Sequence, residues 1–353
     1  MTEPVPELRD HTTLRLGGPG REWVRATTED ELVAAVAEAD ASGTPVLVLG
    51  GGSNLVVADE GFDGRVVEVA TRGITTDDDS SGDPTCSGAT VAVAAGEGWD
   101  DLVATAVERG WVGLEALSGI PGSVGATPIQ NVGAYGQEVS QTIARVRVWD
   151  RKLNGVRTFA AAECQFGYRS SRFKADPGRH VVLDVTFQLR QGALGAPVRY
   201  AELARALGVE EGQRAPLADV RAAVLGLRRG KGMVLDAEDH DTWSAGSFFT
   251  NPFLAPEQAA ALPADAPRWE QPDGTVKSSA GWLIERAGFG KGWTSPAAGD
   301  RVSVSTKHTL ALTNRGGATT DELLALAREV RDGVRERFGV TLVNEPATVG
   351  CSL

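Results

Sequence analysis

The stretch 119–139, GIPGSVGATPIQNVGAYGQEV, constrains this chain most. Glycine recurs at 119, 122, 125, 133 and 136, with Pro121, Ala126, Pro128 and the amide pair Gln130-Asn131 between them. Such a run has too little apolar bulk for a core and no period for a long helix. Glycine has no Cβ and tolerates positive φ, so backbone N–H groups here can approach something flat or anionic. The alternative is a plain Gly/Pro connection, although long ordered loops in compact domains are usually functional.

A length of 353 residues suggests two or three domains. With 42% hydrophobic and 23% charged residues, a sizeable core is available. The net charge of -12 argues against a nucleic-acid partner, which needs a basic face. A local cluster can still bind an anion against that background. Cys86, Cys164 and Cys351 are odd in number and match no zinc spacing, so free thiols in a reducing compartment are expected. The first residues, MTEPVPELRD, carry no apolar signal segment. No run approaches the ~20 apolar residues of a membrane helix. The expectation is a cytoplasmic protein with no membrane partner and no bound metal.

Along the chain, Thr28-x-x-Glu31 is a capping box that opens a helix to about Ser42, stopped by Gly43. Val46–Leu49 reads as a buried strand and ends in Gly50-Gly51-Gly52-Ser53-Asn54. That cluster fails the dinucleotide fingerprint, because Leu55-Val56-Val57 continues as strand where a helix is required. A tight turn between two strands remains, either a plain hairpin or a nest of amides suited to phosphate oxygens. Residues 73–88 are polar and acidic and read as a surface loop or hinge. A second strand and helix follow at Val91–Ala95 and Trp99–Arg109. Strands are expected at Val146–Trp149, Val156–Phe159, Val181–Leu189, Thr309–Thr313 and Val340–Val343, and helices near 200–207, 216–229 and 279–288. Thr319-x-x-Glu322 caps a long helix to Phe338, closed by Gly339.

Ordinary hydrolytic chemistry finds little support. The four histidines, His11, His180, His240 and His308, form no zinc spacing. Ala245-Gly246-Ser247-Phe248-Phe249 lacks the second glycine of a nucleophile elbow. No G-x-x-x-x-G-K-[ST] loop is present. What remains is two glycine cradles in the first half and polar groups in special turns in the second. Two such cradles suit one extended pyrophosphate ligand. A flavin dinucleotide fits, and it carries hydride chemistry that side chains do not.

Taken in order, GGGSN, IPGSVGATPIQNVGAYGQE, CQFGYRSSRFK, AGSFFTNP and a terminal Glu345 resemble the UDP-N-acetylenolpyruvoylglucosamine reductases, from about residue 11 to 350. The resemblance implies an α+β fold. A two-lobed FAD-binding module of the vanillyl-alcohol-oxidase type would occupy 1–78 and 79–200. An α+β substrate-binding domain, 201–353, would follow and return its last helix and strand to that module. It implies that NADPH reduces FAD and leaves, and that UDP-N-acetylglucosamine enolpyruvate then enters the same cleft. Hydride passes from the flavin N5 to the enolpyruvyl C3, and a protein acid protonates C2. A monomer is expected.

By the same resemblance, Ser247 matches the proton donor, and Arg169 and Glu345 match the other two catalytic positions. A planar guanidinium suits the substrate carboxylate and the enolate that grows on it. A protonated Glu345 would polarise the same carboxylate, although its context, VNEPATVG, departs from the L-E-x-E-V pattern of relatives. Substrate contacts carry over to Tyr168, Tyr200, Arg228, Lys231 and Asn251. Flavin contacts fall on Gly50, Gly51, Gly52, Ser53, Asn54 and Leu55. In the second cradle they fall on Gly119, Ile120, Pro121, Gly122, Ser123, Gly125, Ala126, Gln130, Asn131, Gly133 and Gly136. These loops hold no cysteine or histidine for a covalent link, so non-covalent FAD is expected. Two rivals stand beside this reading: an alcohol or lactone oxidase on the same fold, and a non-catalytic sugar-nucleotide-binding regulator.

Overall fold

The structure, a computed structural model, describes residues 5–78 and 88–353. The chain forms two compact units. The first comprises Arg21–Gly51 and Asp63–Arg229; the second comprises Met1–Gly20, Gly52–Phe62 and Gly230–Leu353.

In the first unit, helix α1 (Glu29–Ser42) begins where the sequence says it should. The Thr28 hydroxyl accepts from Glu31 N at 3.2 Å, and the Glu31 carboxylate accepts from Thr28 N at 3.2 Å. Gly43 ends it at φ 71°, the left-handed conformation that glycine adopts without a Cβ penalty. Of its buried residues, Leu32, Ala35 and Val36 serve a core that includes Ala26, Val67 and Leu183. The neighbouring sheet runs Gly20–Ala26, Phe62–Val69, Val46–Leu49, the last two being parallel. A second, antiparallel sheet runs Gly155–Ala160, Ile143–Asp150, His180–Gln191, Gly88–Ala94, Ile74–Asp78. Alternate residues of Gly88–Ala94 are buried, as a half-buried strand requires. Helix α2 (Trp99–Glu108) adds Trp99, Leu102, Val103 and Ala106 to the core of this sheet. Two short helices follow, α3 (Thr127–Gln130) and α4 (Arg172–Ala175). Helices α5 (Ala201–Leu207) and α6 (Leu217–Gly230) close a small cluster with Ala116 and Val198.

The second unit is built on helix α9 (Thr320–Phe338), which has a complete Thr319/Glu322 capping box and Gly339 at φ 67°. Helices α7 (Pro256–Ala261) and α8 (Ala280–Arg286) precede it. Leu323, Leu326, Val330 and Val334 of α9 share a core with Phe248, Phe249, Leu283 and Ile284. Leu55–Val57 pairs in parallel with Ala347–Val349.

Three expectations are corrected, and one alternative is ruled out. Residues 74–78 form an edge strand rather than a loop, because their backbone pairs with Gly88–Ala94; residues 79–87, with Cys86, lie outside the described residues. The run 340–343 is not a strand. Val340 and Leu342 are buried, yet among the described residues the bridge nearby joins Asn344 to Phe249, and the strand begins at Ala347. The strand expected at 309–313 lies at Leu312–Asn314, paired with Val302–Val304. The turn 50–54 is not a hairpin, since the strands on either side pair with different partners.

One helix position gives a direct test of packing. Glycine to alanine in an exposed helix interior normally stabilises by about 1 kcal/mol. At Gly333 of α9, a Cβ would run into the ring of Phe289, which is buried and edge-on to Trp293 at 4.7 Å. Gly333→Ala is therefore expected to destabilise, by about 1–3 kcal/mol, in urea or thermal unfolding. A rise in stability would contradict this packing.

Candidate functional site

Two glycine loops meet in the first unit. A Cβ on Gly51 would lie 2.6 Å from Gly122 Cα, and one on Gly50 would lie 2.5 Å from Ser123 Oγ. Gly125 is pressed against Ala95 just as closely, at 2.5 Å for an added Cβ. Gly122 holds φ 117°, which side chains rarely adopt. Val124, Gly125 and Ala126 spend their N–H groups on Glu97, Ala95 and Ser123 carbonyls. Among the described residues, the N–H groups of Gly50, Gly51, Ile120, Gly122 and Ser123 donate to no protein group. That leaves a row of donors in a backbone-lined cradle, the arrangement that receives anionic oxygens.

Other residues of the glycine stretch are committed to the protein. Gly119 donates its N–H to Asp100 Oδ1 at 2.6 Å, and Arg221 of α6 grips the same carboxylate with two bonds of 2.6 and 2.8 Å. Burial opposes ionisation of Asp100. The Arg221 and Gly119 donors outweigh it and hold the carboxyl below its ordinary value. Asn131 is buried at φ 43°; its amide donates to Glu138 and to the Gly167 carbonyl, and its oxygen accepts from Ser140 N. Gly133-Ala134 and Gln137-Glu138 pair as a hairpin around Tyr135 and Gly136, both at positive φ, as a two-residue loop of this kind demands. Gly136 is exposed and backs onto Arg199. Tyr135 meets Tyr200 edge-on at 5.5 Å, with Tyr200 45% exposed and so available to a ligand. Arg228 lies on the same helix as Arg221, and desolvation lowers its guanidinium to about 10, still cationic at neutral pH.

Tyr168 and Arg169 form the tip of a turn closed by reciprocal bonds between Gly167 and Ser170. Arg169 sits at φ 50°, a place glycine usually takes in such turns. Its guanidinium donates to the Gly133 carbonyl at 3.0 Å and lies 5.5 Å from the Tyr168 ring centre. Arg169 is thus brought to the hairpin of the glycine stretch. Gln130 accepts from Lys174 at 2.8 Å.

In the second unit, Ser247 and Glu345 are brought together. Glu345 N donates to Phe248 O at 2.8 Å, Thr250 N donates to Val343 O, and Phe249 bridges to Asn344. Gly246, at φ 72°, turns the chain so that half-buried Ser247 precedes two buried aromatics. Asn54 is tied to the same place: its O accepts from Ala347 N at 3.0 Å, and its amide lies 3.5 Å from Glu345 O. Gly52 is buried at φ 58°, and its carbonyl accepts from Thr13 N. Ser53 and Leu55 are half-buried, Leu55 opening the strand that pairs with 347–349. Asn251 Oδ1 accepts from Ala280 N and caps the start of α8. Lys231 follows directly on α6 and is half-buried.

Sequence reasoning missed three supporting residues. Asp100 is one of two acids in the first turn of α2, where such residues are ordinary. Thr13 donates to Ser244 O at 2.6 Å, anchoring the segment before Ser247. Lys174 was quoted in the FGYRSSRFK motif without a role. No local signal marks any of them, because each makes at least one of its bonds to a segment distant in sequence.

Comparisons with known proteins find relatives along the length of the chain. Residues 22–155 match the FAD binding domain family, and residues 238–349 match the UDP-N-acetylenolpyruvoylglucosamine reductase C-terminal domain. The chain is 58% identical to the UDP-N-acetylenolpyruvoylglucosamine reductase of Cutibacterium acnes, covering 99% of this chain and 91% of the relative. It is 59% identical to that of Streptomyces avermitilis, covering 99% and 96%. The crystal structure of the Thermus caldophilus reductase superposes with a TM-score of 0.65 at 27% identity, covering 98% of this chain and 97% of that one.

A valine at Gly51 or Gly125 would force apart backbones already in contact. Both variants are expected to purify with bound flavin reduced by about tenfold or more, equivalent to ~1.4 kcal/mol of affinity. Visible absorbance per chain, with circular dichroism to verify folding, reads the effect. Folded variants that stay fully yellow would contradict the cradle.

Proposed function

The chain belongs to the UDP-N-acetylenolpyruvoylglucosamine reductase family, FAD-dependent oxidoreductases of peptidoglycan synthesis, and we propose that it reduces UDP-N-acetylglucosamine enolpyruvate to UDP-N-acetylmuramate with NADPH, using Arg169, Ser247 and Glu345 as its catalytic residues. The α+β fold, with its FAD-binding module, is that of the family. The backbone pairing of 247–250 with 343–345 carries the assignment, because it sets two of the three candidates side by side.

Bound FAD supplies the hydride chemistry, from NADPH to the enolpyruvyl C3. The chain must then hold the substrate carboxylate, stabilise charge at C2 and deliver a proton there. Arg169 takes the first two tasks: its planar fork matches a carboxylate, and stabilisation of the developing enolate is a transition-state effect. Ser247 delivers the proton from Oγ to C2. Glu345, one residue beyond the Asn344 bridge, supports the same carboxylate. Tyr168, Tyr200, Arg228, Lys231 and Asn251 serve the nucleotide and its diphosphate, Lys231 as a point charge. The flavin is held without a covalent bond, at 50–55 and 119–136. The functional division 1–78, 79–200 and 201–353 belongs to this same reading, as do a monomeric state and a cytoplasmic location. No described helix is long and apolar enough to cross a membrane.

An oxidase of the same fold would leave the match over 238–349 without a reason. A regulator would have no use for Ser247. Anaerobic stopped-flow separates these readings. NADPH should bleach the flavin, and the enolpyruvyl sugar nucleotide should restore its colour. Ser247→Ala should keep the first step and slow the second by about 10²-fold or more. Failure of both steps in the unaltered protein would sink the proposal; an unaffected second step in Ser247→Ala would remove Ser247 from it.

A further inference from the structure

Arg169 occupies a left-handed backbone conformation, strained for a non-glycine residue, that persists only where the surroundings enforce it. Its own turn does not supply that enforcement, since the Gly167 and Ser170 bonds would close equally well around a glycine. Beside the Asn131 amide bond to Gly167 O, enforcement comes from α4. Ser171 caps this helix, accepting from Phe173 N at 3.1 Å and Lys174 N at 3.2 Å, and donates its hydroxyl to Ile129 O at 2.7 Å. One turn on, the half-buried Lys174 ammonium donates to Arg169 O at 3.0 Å and to Gln130 Oε1 at 2.8 Å. Ile129 and Gln130 are consecutive residues of α3, in the glycine stretch. Two bonds, from α4 and its cap, therefore reach α3, and a third from the same ammonium fixes the Arg169 carbonyl. From the other side, the Arg169 guanidinium is held by Gly133 O.

We infer that Lys174 is a positioning residue for the reaction: its ammonium locks the strained Arg169 turn to the Gln130 segment, so that the guanidinium faces the substrate carboxylate in one orientation. Gln130 is a proposed flavin contact, so the same ammonium sets Arg169 in register with the flavin-holding segment. A carbonyl and an amide oxygen are good partners for three ammonium donors, and neither moves its charge onto substrate. The inference rests on the proposed role of Arg169. A misplacement of about 1 Å in such a group can cost ~10²-fold in rate.

The test uses the holoenzyme and both half-reactions. Lys174→Met keeps the stem volume and removes the ammonium; Lys174→Ala leaves room for a small amine. Both are expected to retain FAD and to be reduced by NADPH within about threefold of the unaltered rate. Reoxidation by the enolpyruvyl substrate is expected to slow by about 30- to 100-fold. Methylammonium or ethylammonium should restore part of that rate in Lys174→Ala and none in Lys174→Met, a response that a purely structural role would not give. Arg169→Lys is measured alongside. If it leaves reoxidation intact, the proposed function of Arg169 fails. If it is slow while Lys174→Met is unaffected, only the present inference fails. Equal slowing of both half-reactions in Lys174→Met would also overturn it, by making Lys174 a support of the flavin cradle alone.

Discussion

The proposed flavin cradle depends on one approach of backbone to backbone. Gly51 comes so close to Gly122 that it has no room for a side chain, and Gly122 holds a φ of 117° that side chains rarely adopt. This contact joins the end of the Val46–Leu49 strand to the loop that follows Leu117, and it leaves amide N–H groups without protein acceptors. In a core such groups would each cost a lost hydrogen bond. In the proposed cradle for a pyrophosphate they would supply binding energy. The composition of 119–139, too rich in glycine for a core, is consistent with that proposal.

The surrounding elements hold this cradle in place without adding bulk to it. Asp100 opens α2, takes the Gly119 N–H and is clamped by Arg221. The hairpin 133–138 receives the Arg169 guanidinium on its first carbonyl. In the second unit the same economy holds for Ser247 and Glu345. Backbone bonds fix both segments.

Legibility in the sequence followed the range of the interaction. The capping boxes Thr28/Glu31 and Thr319/Glu322, the glycine stops at 43 and 339, and the buried face of α9 are local patterns, and each appears where expected. Pairings between distant segments were not legible. Leu55–Val57 finds its partner at 347–349, and nothing in either triplet names the other. Ile74–Asp78 looked like a loop because an exposed edge strand can be polar on both faces. Val340 and Leu342 looked like a strand because alternate burial gives the same pattern without a ladder. The candidate residues were found through their motifs; their support by Thr13, Asp100 and Lys174 emerges only in three dimensions.

The account stands on a flavin held by backbone amides without a covalent bond. The most direct measurement is the visible spectrum of the purified protein, before and after acid precipitation. A band near ~450 nm is predicted, with the colour passing entirely to the supernatant as free FAD. A protein that is colourless and takes up no added FAD, or a precipitate that stays yellow, would contradict it.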